Sequence, residues 1–563
     1  MWRILGYRSR PSTVRLHQKD GEEGGDKPIG WSRDFLLCLE YLVACPVHMV
    51  GNHHHQLRGI FCIEALEFGR RRRKTFQDRR MKSYSPSLLF FVLLFSAAAL
   101  LLVWILDVNS DSAMMSRSRT LGSNFRISNN TTSYNGSDSC RSRNEYDFYS
   151  RRRSASFEPS ESLQRKILEY EALHGRCAPG PEQCANCSTC GYLVYVPANQ
   201  GIGNKMVAIV AAFLYALLTD RTMLIARLEN LDTLFCEPFP SSSWLLPSSW
   251  KHLELAPWDA SKWIGSLAGS PNCSRGVDVS FPEVVVAYLD YNYRDQDKAF
   301  FCQDQQQALN SSARWIVLSS GQYFTPALYN VPAFRSKLEE LFPQQEAIFH
   351  LLVRYLLLPS DFVWDKAARY YDAYLAQAEL LVGVQLRNHI WFSPPNLAED
   401  TFDCLVQQGA LANTTQERAP RSSVRKNSKK VAVLVVSLNS QYSETLKSKV
   451  LGYDLADGSS VSIHQPSVEG VQNTGNLDHD AQAVMEIYLL SMSDVLVTSP
   501  PSTFDYSAAG LAGVRPVQFV CDQNKSVVCS VRETMEPCYH VYPAQFALDN
   551  IEKCECGVGF RLV

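Results

Sequence analysis

The sequence predicts an α/β fold with two parallel-sheet domains that face a cleft, preceded by a single transmembrane anchor. Short continuous apolar runs alternate with helix-like segments, as expected for parallel strands that are covered on both faces. The chain has 563 residues and 46% apolar content, enough for more than one core. A charge-free run of membrane-spanning length lies upstream of these strands.

The predicted anchor is residues 88–106, LLFFVLLFSAAALLLVWIL. At a helical rise of about 1.5 Å per residue, the run covers roughly 28 Å, which is enough for one bilayer crossing. Basic residues precede it, and Asp107 and Asp111 follow it. The positive-inside rule therefore predicts a cytosolic tail over 1–87 and a luminal remainder. A cleaved signal peptide is disfavoured because the run is too long and begins well inside the chain.

The segments on either side of the anchor lack the pattern of a folded domain. Residues 1–80 show no sustained periodicity and are interpreted as a disordered tail or as an extension upstream of a true start at Met81. Residues 107–162 are rich in Ser, Asn and Arg and predict a flexible luminal stem. Sequons for N-glycosylation occur beyond the anchor, at Asn129, Asn130, Asn135, Asn186, Asn272, Asn310, Asn413 and Asn524.

The cysteine content indicates an oxidising compartment. Of 17 cysteines, three precede the anchor and fourteen follow it. An even luminal count is compatible with full pairing, although the sequence does not reveal which cysteines pair. Zinc is an alternative for a cluster of four, but the lumen favours disulfides there. The four are Cys177, Cys184, Cys187 and Cys190.

The first globular domain is predicted over residues 163–378. Residues 192–197 read as a strand, and the turn that follows contains Gly201, Gly203 and Asn204 ahead of a helix. Asn204 is expected to cap that helix, and the glycines allow a close backbone approach. Apolar residues fall on one helical face and are assigned to the core: Met206, Ile209, Val210, Phe213 and Leu217.

The second domain is predicted over residues 379–563. Its buried strands are expected near residues 380–387, 430–438, 494–498 and 516–520. The third of these opens into a hydroxyl-rich turn, Ser499-Pro500-Pro501-Ser502-Thr503, and a helix of small residues through Ala512. In an open α/β sheet, ligands bind at the carboxyl ends of the strands, and a helix N-terminus there suits a phosphate. An ordinary strand-to-helix connection is the alternative for this turn.

Arg387 lies at the carboxyl end of its predicted strand and is expected to face the same crevice as Ser502 and Thr503. A guanidinium can bind a diphosphate at two points and stays charged. A salt bridge to a structural carboxylate is the alternative. Two Rossmann-like domains that face each other across such a cleft are the GT-B type of glycosyltransferase architecture.

Several long motifs between residues 170 and 520 carry a family resemblance. They include YEALHGRCAPG, GIGNKMVAIVAAFLYALLTDR, LFCEPFPSSSWLLP, DQDKAFFCQDQ, VGVQLR, HQPSVEGVQ and DVLVTSPPSTFDYSAAGLAG, in this order. With these motifs the chain resembles the plant cell-wall fucosyltransferases of the xyloglucan-type α-1,2-fucosyltransferase family. The resemblance implies a Golgi membrane protein of type II. Its luminal part would transfer L-fucose from GDP-β-L-fucose to a sugar hydroxyl, with inversion and without a metal or other cofactor.

The resemblance also implies roles for particular residues. The domain over 163–378 is expected to lie on the acceptor side, and the domain over 379–563 is expected to bind GDP-fucose. Arg387 is predicted to be catalytic, because it would stabilise negative charge at the β-phosphate of the leaving GDP. The predicted donor-binding residues are Arg387, His464, Gln465, Ser502, Thr503 and Phe504.

The acceptor and the base stay open at this point. The acceptor glycan could be galactose on xyloglucan, or arabinose or galactose on arabinogalactan protein or pectin. Candidate bases by residue type are His389, His464, His479 and Asp480. The predicted partners are GDP-fucose, a cell-wall glycan and the Golgi membrane, and a homodimer is compatible with the sequence. The net charge of −2 gives no reason to expect nucleic acid.

Two departures from the family pattern bear on activity. Pro500-Pro501 occupies a position where the family usually carries a small residue and Trp, and Asp505 replaces a usual Gly. A carboxylate near a diphosphate is repulsive unless it turns away or pairs. The alternative function is therefore that of a catalytically impaired member, which binds a glycan or serves as a scaffold in the Golgi.

Overall fold

The structure is a computed structural model that describes most of the chain from Cys140 onward. The predicted tail, the anchor at 88–106 and the stem as far as residue 139 lie outside the described residues. The described residues are 140–150, 157–178, 189–239, 242–268, 273, 280–387, 392, 394–415, 428–519, 528–543, 550–554 and 559–563.

Four parallel strands form the first sheet. They are β1 (Tyr192–Pro197), β2 (Thr222–Ile225), β3 (Val284–Tyr288) and β4 (Trp315–Ser320), in the order β2-β1-β4-β3. Strands β1, β2 and β4 are buried along their whole length, which explains their continuous apolar sequences.

Six strands form the second sheet, in the order β10-β9-β8-β5-β6-β7. They are β5 (Leu380–Gln385), β6 (Lys430–Val436), β7 (Ser460–His464), β8 (Val495–Thr498), β9 (Val517–Phe519) and β10 (Cys529–Val531). All neighbours are parallel except the edge strand β10, which is antiparallel to β9. A separate antiparallel pair joins β11 (Ile551–Lys553) to β12 (Phe560–Leu562). The four predicted strands of this region are confirmed to within two residues at each end.

Helices surround both sheets in the described part of the chain. The first seven are α1 (Ser142–Ser150), α2 (Glu161–Cys177), α3 (Ile202–Thr219), α4 (Leu231–Leu234), α5 (Ile264–Leu267), α6 (Gln303–Ser312) and α7 (Thr325–Leu328). The next seven are α8 (Pro332–Leu341), α9 (Ile348–Leu356), α10 (Asp361–Tyr370), α11 (Leu397–Gln407), α12 (Gln441–Gly452), α13 (Leu477–Ser491) and α14 (Thr503–Ala512). Short 3₁₀ segments span Ser248–Trp258, Ala260–Lys262, Asp295–Phe301 and Gln345–Ala347, and a π segment spans Tyr371–Leu375.

Helix α3 is the central helix of the fold. Among the described residues it is the helix long and apolar enough to cross a membrane, but 89% of it is buried inside the protein. It is therefore a core helix, and the five apolar residues assigned to the core are confirmed as buried. The prediction that Asn204 caps it is wrong. Gly201 occupies the cap position, and Asn204 lies inside the first turn.

Disulfides stabilise the described fold, as the cysteine content predicts. Cys177 pairs with Cys190, so two members of the four-cysteine cluster form a disulfide and do not bind zinc. Its other two members, Cys184 and Cys187, lie outside the described residues. Further bridges join Cys140 to Cys236, Cys273 to Cys302, Cys404 to Cys529 and Cys538 to Cys554.

Candidate active site

A cavity of about 380 Å³ lies at the carboxyl ends of strands from both sheets. Gln385 and Val436, the last residues of β5 and β6, line it together with the turn after β1 at Gly201. Parallel α/β sheets place ligands at this edge. The structure therefore has a cavity where the sequence predicts the cleft.

Two helix N-termini meet at this cavity. Gly203 in the first turn of α3 lies so close to α14 that a Cβ at Gly203 would be 2.9 Å from the backbone nitrogen of Phe504. Thr503 Oγ1 donates a hydrogen bond to Asn204 Oδ1 at 3.0 Å, which joins the two first turns. Each N-terminus carries unpaired N–H groups and a partial positive charge. Their convergence favours an anionic ligand.

Arg387 lines the same cavity, two residues after the end of β5. Its backbone N–H donates to Ser499 Oγ at 2.7 Å, and Ser499 Oγ donates to the carbonyl of Arg387 at 3.2 Å. Within the described part of the chain, no side chain forms a hydrogen bond or an ion pair with its guanidinium. Burial lowers the pKa of Arg387, but an arginine remains protonated at neutral pH. The alternative of a structural salt bridge therefore has no partner among the described carboxylates.

The predicted residues of the hydroxyl-rich turn divide into two groups. Thr503 and Phe504 line the cavity at the start of α14. Ser502 is the N-cap residue of α14 and is buried, but it does not line the cavity. Its Oγ has no hydrogen-bond partner among the described residues. The structure thus brings Arg387, Thr503 and Phe504 together in the cavity lining, while Ser502 occupies the buried N-cap position that precedes Thr503.

His464 and Gln465 lie beside the cavity instead of lining it. His464 ends β7, where its Nε2 is 2.9 Å from Ser462 Oγ and its ring is 5.8 Å from that of Tyr374. Gln465 donates from Nε2 to the carbonyl of Ser437 at 2.8 Å, and Ser437 lines the cavity. Gln465 therefore supports the wall of the cavity. The donor-binding role of these two residues remains a prediction.

Glu486 is a cavity residue that sequence reasoning missed. It lies on α13 and lines the cavity, although only 7% of its surface is exposed. Its Oε1 accepts hydrogen bonds from Ser467 Oγ at 2.6 Å and from Gln482 Nε2 at 3.1 Å. Burial raises the pKa of Glu486 to about 7. The sequence feature that could have indicated this residue is a single carboxylate within the apolar run VMEIYLL.

Two of the candidate bases, His479 and Asp480, line the cavity. The Nδ1 atom of His479 contacts Glu469, and its Nε2 atom accepts from the backbone N–H of Asn473 at 3.3 Å. Asp480 is buried, which raises its pKa, and its Oδ2 is 4.0 Å from the ammonium of the fully buried Lys205. Of the other candidates, His389 lies outside the described residues.

Asp505 points away from the cavity. Its side chain is fully buried, accepts a hydrogen bond from Gln518 Nε2 at 3.1 Å and is 4.0 Å from the guanidinium of Arg532. It is absent from the described cavity lining. The carboxylate is therefore paired with Gln518 of β9 and with Arg532, which follows β10, and the expected repulsion of a diphosphate does not arise from this geometry.

The family model for xyloglucan fucosyltransferases matches residues 131–547. A galactoside 2-alpha-L-fucosyltransferase from Arabidopsis thaliana is 35% identical over 427 residues, which cover 72% of this chain and 75% of that protein. The enzyme of the same name from Pisum sativum is 35% identical over 407 residues, which cover 68% of this chain and 71% of that enzyme.

Among solved structures, an Arabidopsis thaliana FUT1 mutant in complex with GDP is similar. The two chains have a TM-score of 0.66 and 32% identity, and the match covers 77% of this chain and 98% of that one. Residues 131–547, which the family model matches, contain the two sheets and the cavity between them. The chain thus belongs to the xyloglucan fucosyltransferase family and is a glycosyltransferase of the α-1,2-fucosyltransferase type.

Proposed function

We propose that this chain transfers L-fucose from GDP-β-L-fucose to a sugar hydroxyl of a plant cell-wall glycan, with inversion of the anomeric centre and without a metal. The observation that carries the proposal is the cation of Arg387 beside the N-termini of α3 and α14 in one cavity. A diphosphate fits this arrangement because its oxygens can accept from the guanidinium fork and from backbone N–H groups together.

The nucleotide base is proposed to lie near Glu486. Guanine presents two adjacent N–H donors on one edge, and a carboxylate can accept both. Oε1 of Glu486 is held by Ser467 and Gln482, while no described residue bonds to Oε2. Gln385 also lines the cavity, and its Oε1 is buried without a hydrogen-bond partner among the described residues. These two acceptors support recognition of a base with donor groups, as guanine has.

The proposed chemistry follows from where charge develops. The bond between the anomeric carbon and the β-phosphate oxygen breaks, and the leaving GDP gains negative charge. Arg387 and the backbone N–H groups at the start of α14 are held in place before reaction, so they stabilise that charge without reorganisation. A sugar hydroxyl attacks from the face opposite GDP and gives up its proton. A single displacement of this kind inverts the anomeric centre.

The proposed cellular location rests on the sequence and on the exposure of two sequon asparagines. The basic residues before 88–106 and the sequons after it support a type II Golgi membrane protein with a luminal catalytic part. Two sequon asparagines lie within the described residues, Asn310 and Asn413, and both are exposed. Exposure is required for a folded protein to carry a glycan at these positions. The acceptors considered are xyloglucan, arabinogalactan and pectin.

The test is a panel with a purified luminal fragment that begins ahead of Cys140. Labelled GDP-fucose is incubated with galactosylated xyloglucan, arabinogalactan or pectin, and labelled polymer is measured. We expect incorporation into one of these and a rise in melting temperature with GDP. The scaffold alternative predicts neither transfer nor GDP-induced stabilisation, so that pair of results would overturn the proposal.

A further inference from the structure

A cavity of about 170 Å³ lies at the C-terminal end of helix α3, away from the candidate active site. We call it the α6 groove, because α6 contributes Asn310 to its wall, while α3 contributes Thr219 and α8 contributes Lys337. Asn204, near the other end of α3, lines the candidate active site. At a rise of about 1.5 Å per residue, Asn204 and Thr219 are roughly 22 Å apart along the helix axis. A ligand in the α6 groove would therefore leave the active site open.

Hydrogen bonds between the helices fix the shape of the α6 groove. The backbone N–H of Ala333 on α8 donates to Gln303 Oε1 on α6 at 3.1 Å. Lys337 Nζ on α8 donates to the carbonyl of Leu218 on α3 at 2.9 Å. All four residues belong to the lining of the groove. The groove is therefore largely formed before any ligand binds, as small-molecule sites usually are.

The lining of the α6 groove combines apolar surface with unused hydrogen-bonding groups. Phe334 and Val331 form part of the apolar wall. Gln303 uses Oε1 for its bond to α8, and no described residue bonds to its Nε2. Lys337 uses one of its three N–H donors, and the exposed amide of Gln307 bonds to no described residue. An N-acetylated sugar has matching groups, because its acetamide methyl is apolar and its hydroxyls both donate and accept.

Asn310 begins a glycosylation sequon, Asn310-Ser311-Ser312, in the wall of this groove. Gln303, Gln307 and Asn310 are spaced i, i+4 and i+7 on α6, so their side chains lie on one face of the helix. Asn310 is exposed. Asn413 is the other sequon asparagine within the described residues; it is exposed too, but it does not line the groove. A sugar attached to Asn310 would begin at the groove, whereas one attached to Asn413 would begin outside it.

We propose that Asn310 carries an N-linked glycan whose first N-acetylglucosamine binds in the α6 groove. In the modification, Asn310 Nδ2 bonds to the anomeric carbon of an oligosaccharide that is carried on a lipid diphosphate. The bond from that carbon to the diphosphate oxygen breaks, the lipid diphosphate leaves with the electron pair, and Nδ2 loses one proton to the oligosaccharide transferase of the host. This inference rests on the luminal location in the proposed function.

Covalent attachment makes a groove of this size sufficient for binding. A short flexible tether holds a ligand at an effective concentration in the millimolar range, so a sugar with weak intrinsic affinity stays bound. Docking that is favoured tenfold corresponds to about 1.4 kcal/mol. The bound sugar would contact α3, α6 and α8 together, and it would add to the hydrogen bonds that already join these helices.

The test uses the full chain, produced in plant cells treated with a mannosidase inhibitor so that its glycans remain cleavable by endoglycosidase H. Glycopeptide mass spectrometry measures occupancy at Asn310 and Asn413 and the rate of cleavage at each. In the native protein we expect cleavage at Asn310 to be about tenfold slower than at Asn413, because the endoglycosidase must reach the bond beside the docked sugar. After denaturation of the protein, the two rates should converge.

A groove-filling variant separates docking from general protection by the fold. Ala333 is exposed and lines the groove, so the indole of Ala333→Trp would occupy the place of the sugar. Cleavage at Asn310 in the native variant should become about tenfold faster, while cleavage at Asn413 should not change. Circular dichroism shows whether the variant is folded, and the comparison of native with denatured wild type requires no variant.

Three results would contradict these expectations, and they bear on different claims. Equal cleavage rates at Asn310 in native and denatured wild type would overturn the docking of the sugar. An unmodified Asn310 in a protein that carries a glycan at Asn413 would overturn the modification itself. A chain without a glycan at any sequon would instead contradict the luminal location on which the inference rests.

Discussion

Thr503 Oγ1 donates to Asn204 Oδ1 at 3.0 Å, across 299 residues of sequence. This bond joins the first turn of α14 to the first turn of α3, and Asn204 in turn donates to the carbonyl of Gly321 at 3.1 Å. The two partial positive charges at the cavity are therefore held in a fixed relation before any ligand arrives. A prearranged set of donors is the feature that makes electrostatic stabilisation effective.

Substitution of Gly203 by Ala tests this arrangement. The new Cβ would lie 2.9 Å from both the backbone nitrogen of Phe504 and the carbonyl carbon of Thr503, so α14 would have to move. We expect a loss of stability of about 1–3 kcal/mol, as overpacking costs, and weaker GDP binding by calorimetry. Gly452→Ala is the control because its Cβ meets no heavy atom within 4 Å. Equal GDP affinity in the two variants would contradict the expectation.

Substitution of Arg387 by Ala should abolish measurable transfer while the fold remains intact. Loss of a preorganised donor typically costs about 10²–10³ in rate, and removal of the charge also weakens the binding of GDP. Arg387→Lys should recover only part of the activity, since an ammonium lacks the planar fork. Fucose incorporation measures the transfer activity, and circular dichroism shows whether the variant is folded. The control is Arg515→Ala, whose guanidinium bonds to Glu346 at the surface. Near-normal turnover in Arg387→Ala would exclude the phosphate role.

The titration of Glu486 should appear in donor affinity. Its pKa of about 7 lies above the ordinary value near 4.3, so the group is mostly protonated at pH 6 in the free protein. The ionised form accepts two N–H donors, and GDP should therefore bind more tightly as pH rises from about 6 to about 8. Glu486→Gln should bind GDP weakly and without this pH dependence. An unchanged pH dependence in the variant would assign the effect to another group.

The raised pKa of Glu486 also predicts how its contribution to the free energy of unfolding changes with pH. Between the unfolded pKa and the folded pKa of Glu486, the folded protein binds more protons than the unfolded chain does. The contribution of Glu486 to the free energy of unfolding therefore falls as pH rises from about 4.5 to about 7. Melting temperatures of wild type and Glu486→Gln across that range should converge toward the acidic end.

Asp505 should prove structural. Asp505→Asn removes the charge that faces the buried Arg532. Removing one partner of a buried ion pair costs about 3–5 kcal/mol, because the other charge is left buried without compensation. We expect a lower melting temperature and, at a temperature where the variant is folded, unchanged GDP affinity. Tighter GDP binding in the variant would mean that the carboxylate does repel the diphosphate. Thermal unfolding and calorimetry on one sample distinguish the two outcomes.

Strands could be predicted from the sequence where burial on both faces of the sheet leaves a continuous apolar run. Strands β5, β6, β8 and β9 are continuous apolar runs because helices cover both faces of the second sheet. The edge strand β7 was missed because it reads Ser-Val-Ser-Ile-His and is only partly buried. Asn204 was misassigned as a cap because residue preference favours Asn at the cap, whereas its amide makes contacts to Gly321 and Thr503 that only the tertiary fold creates.

The site was predictable in part for the same reason. Arg387 and Thr503 follow strands of one sheet, and the carboxyl ends of parallel strands share an edge, so their proximity follows from the strand pattern. Glu486 comes from the middle of a helix, and its place at the cavity depends on the packing of α13 against the second sheet and the neighbouring helices.

The bridges from Cys140 to Cys236 and from Cys404 to Cys529 close segments of 96 and 125 residues. Crosslinks over about 100 residues each restrict the unfolded chain by about 4–5 kcal/mol in the chain-entropy account, which is comparable to the whole stability of many domains. Recombinant production in a reducing bacterial cytoplasm should therefore give aggregated material, whereas a secretory host should yield enzyme suitable for assay.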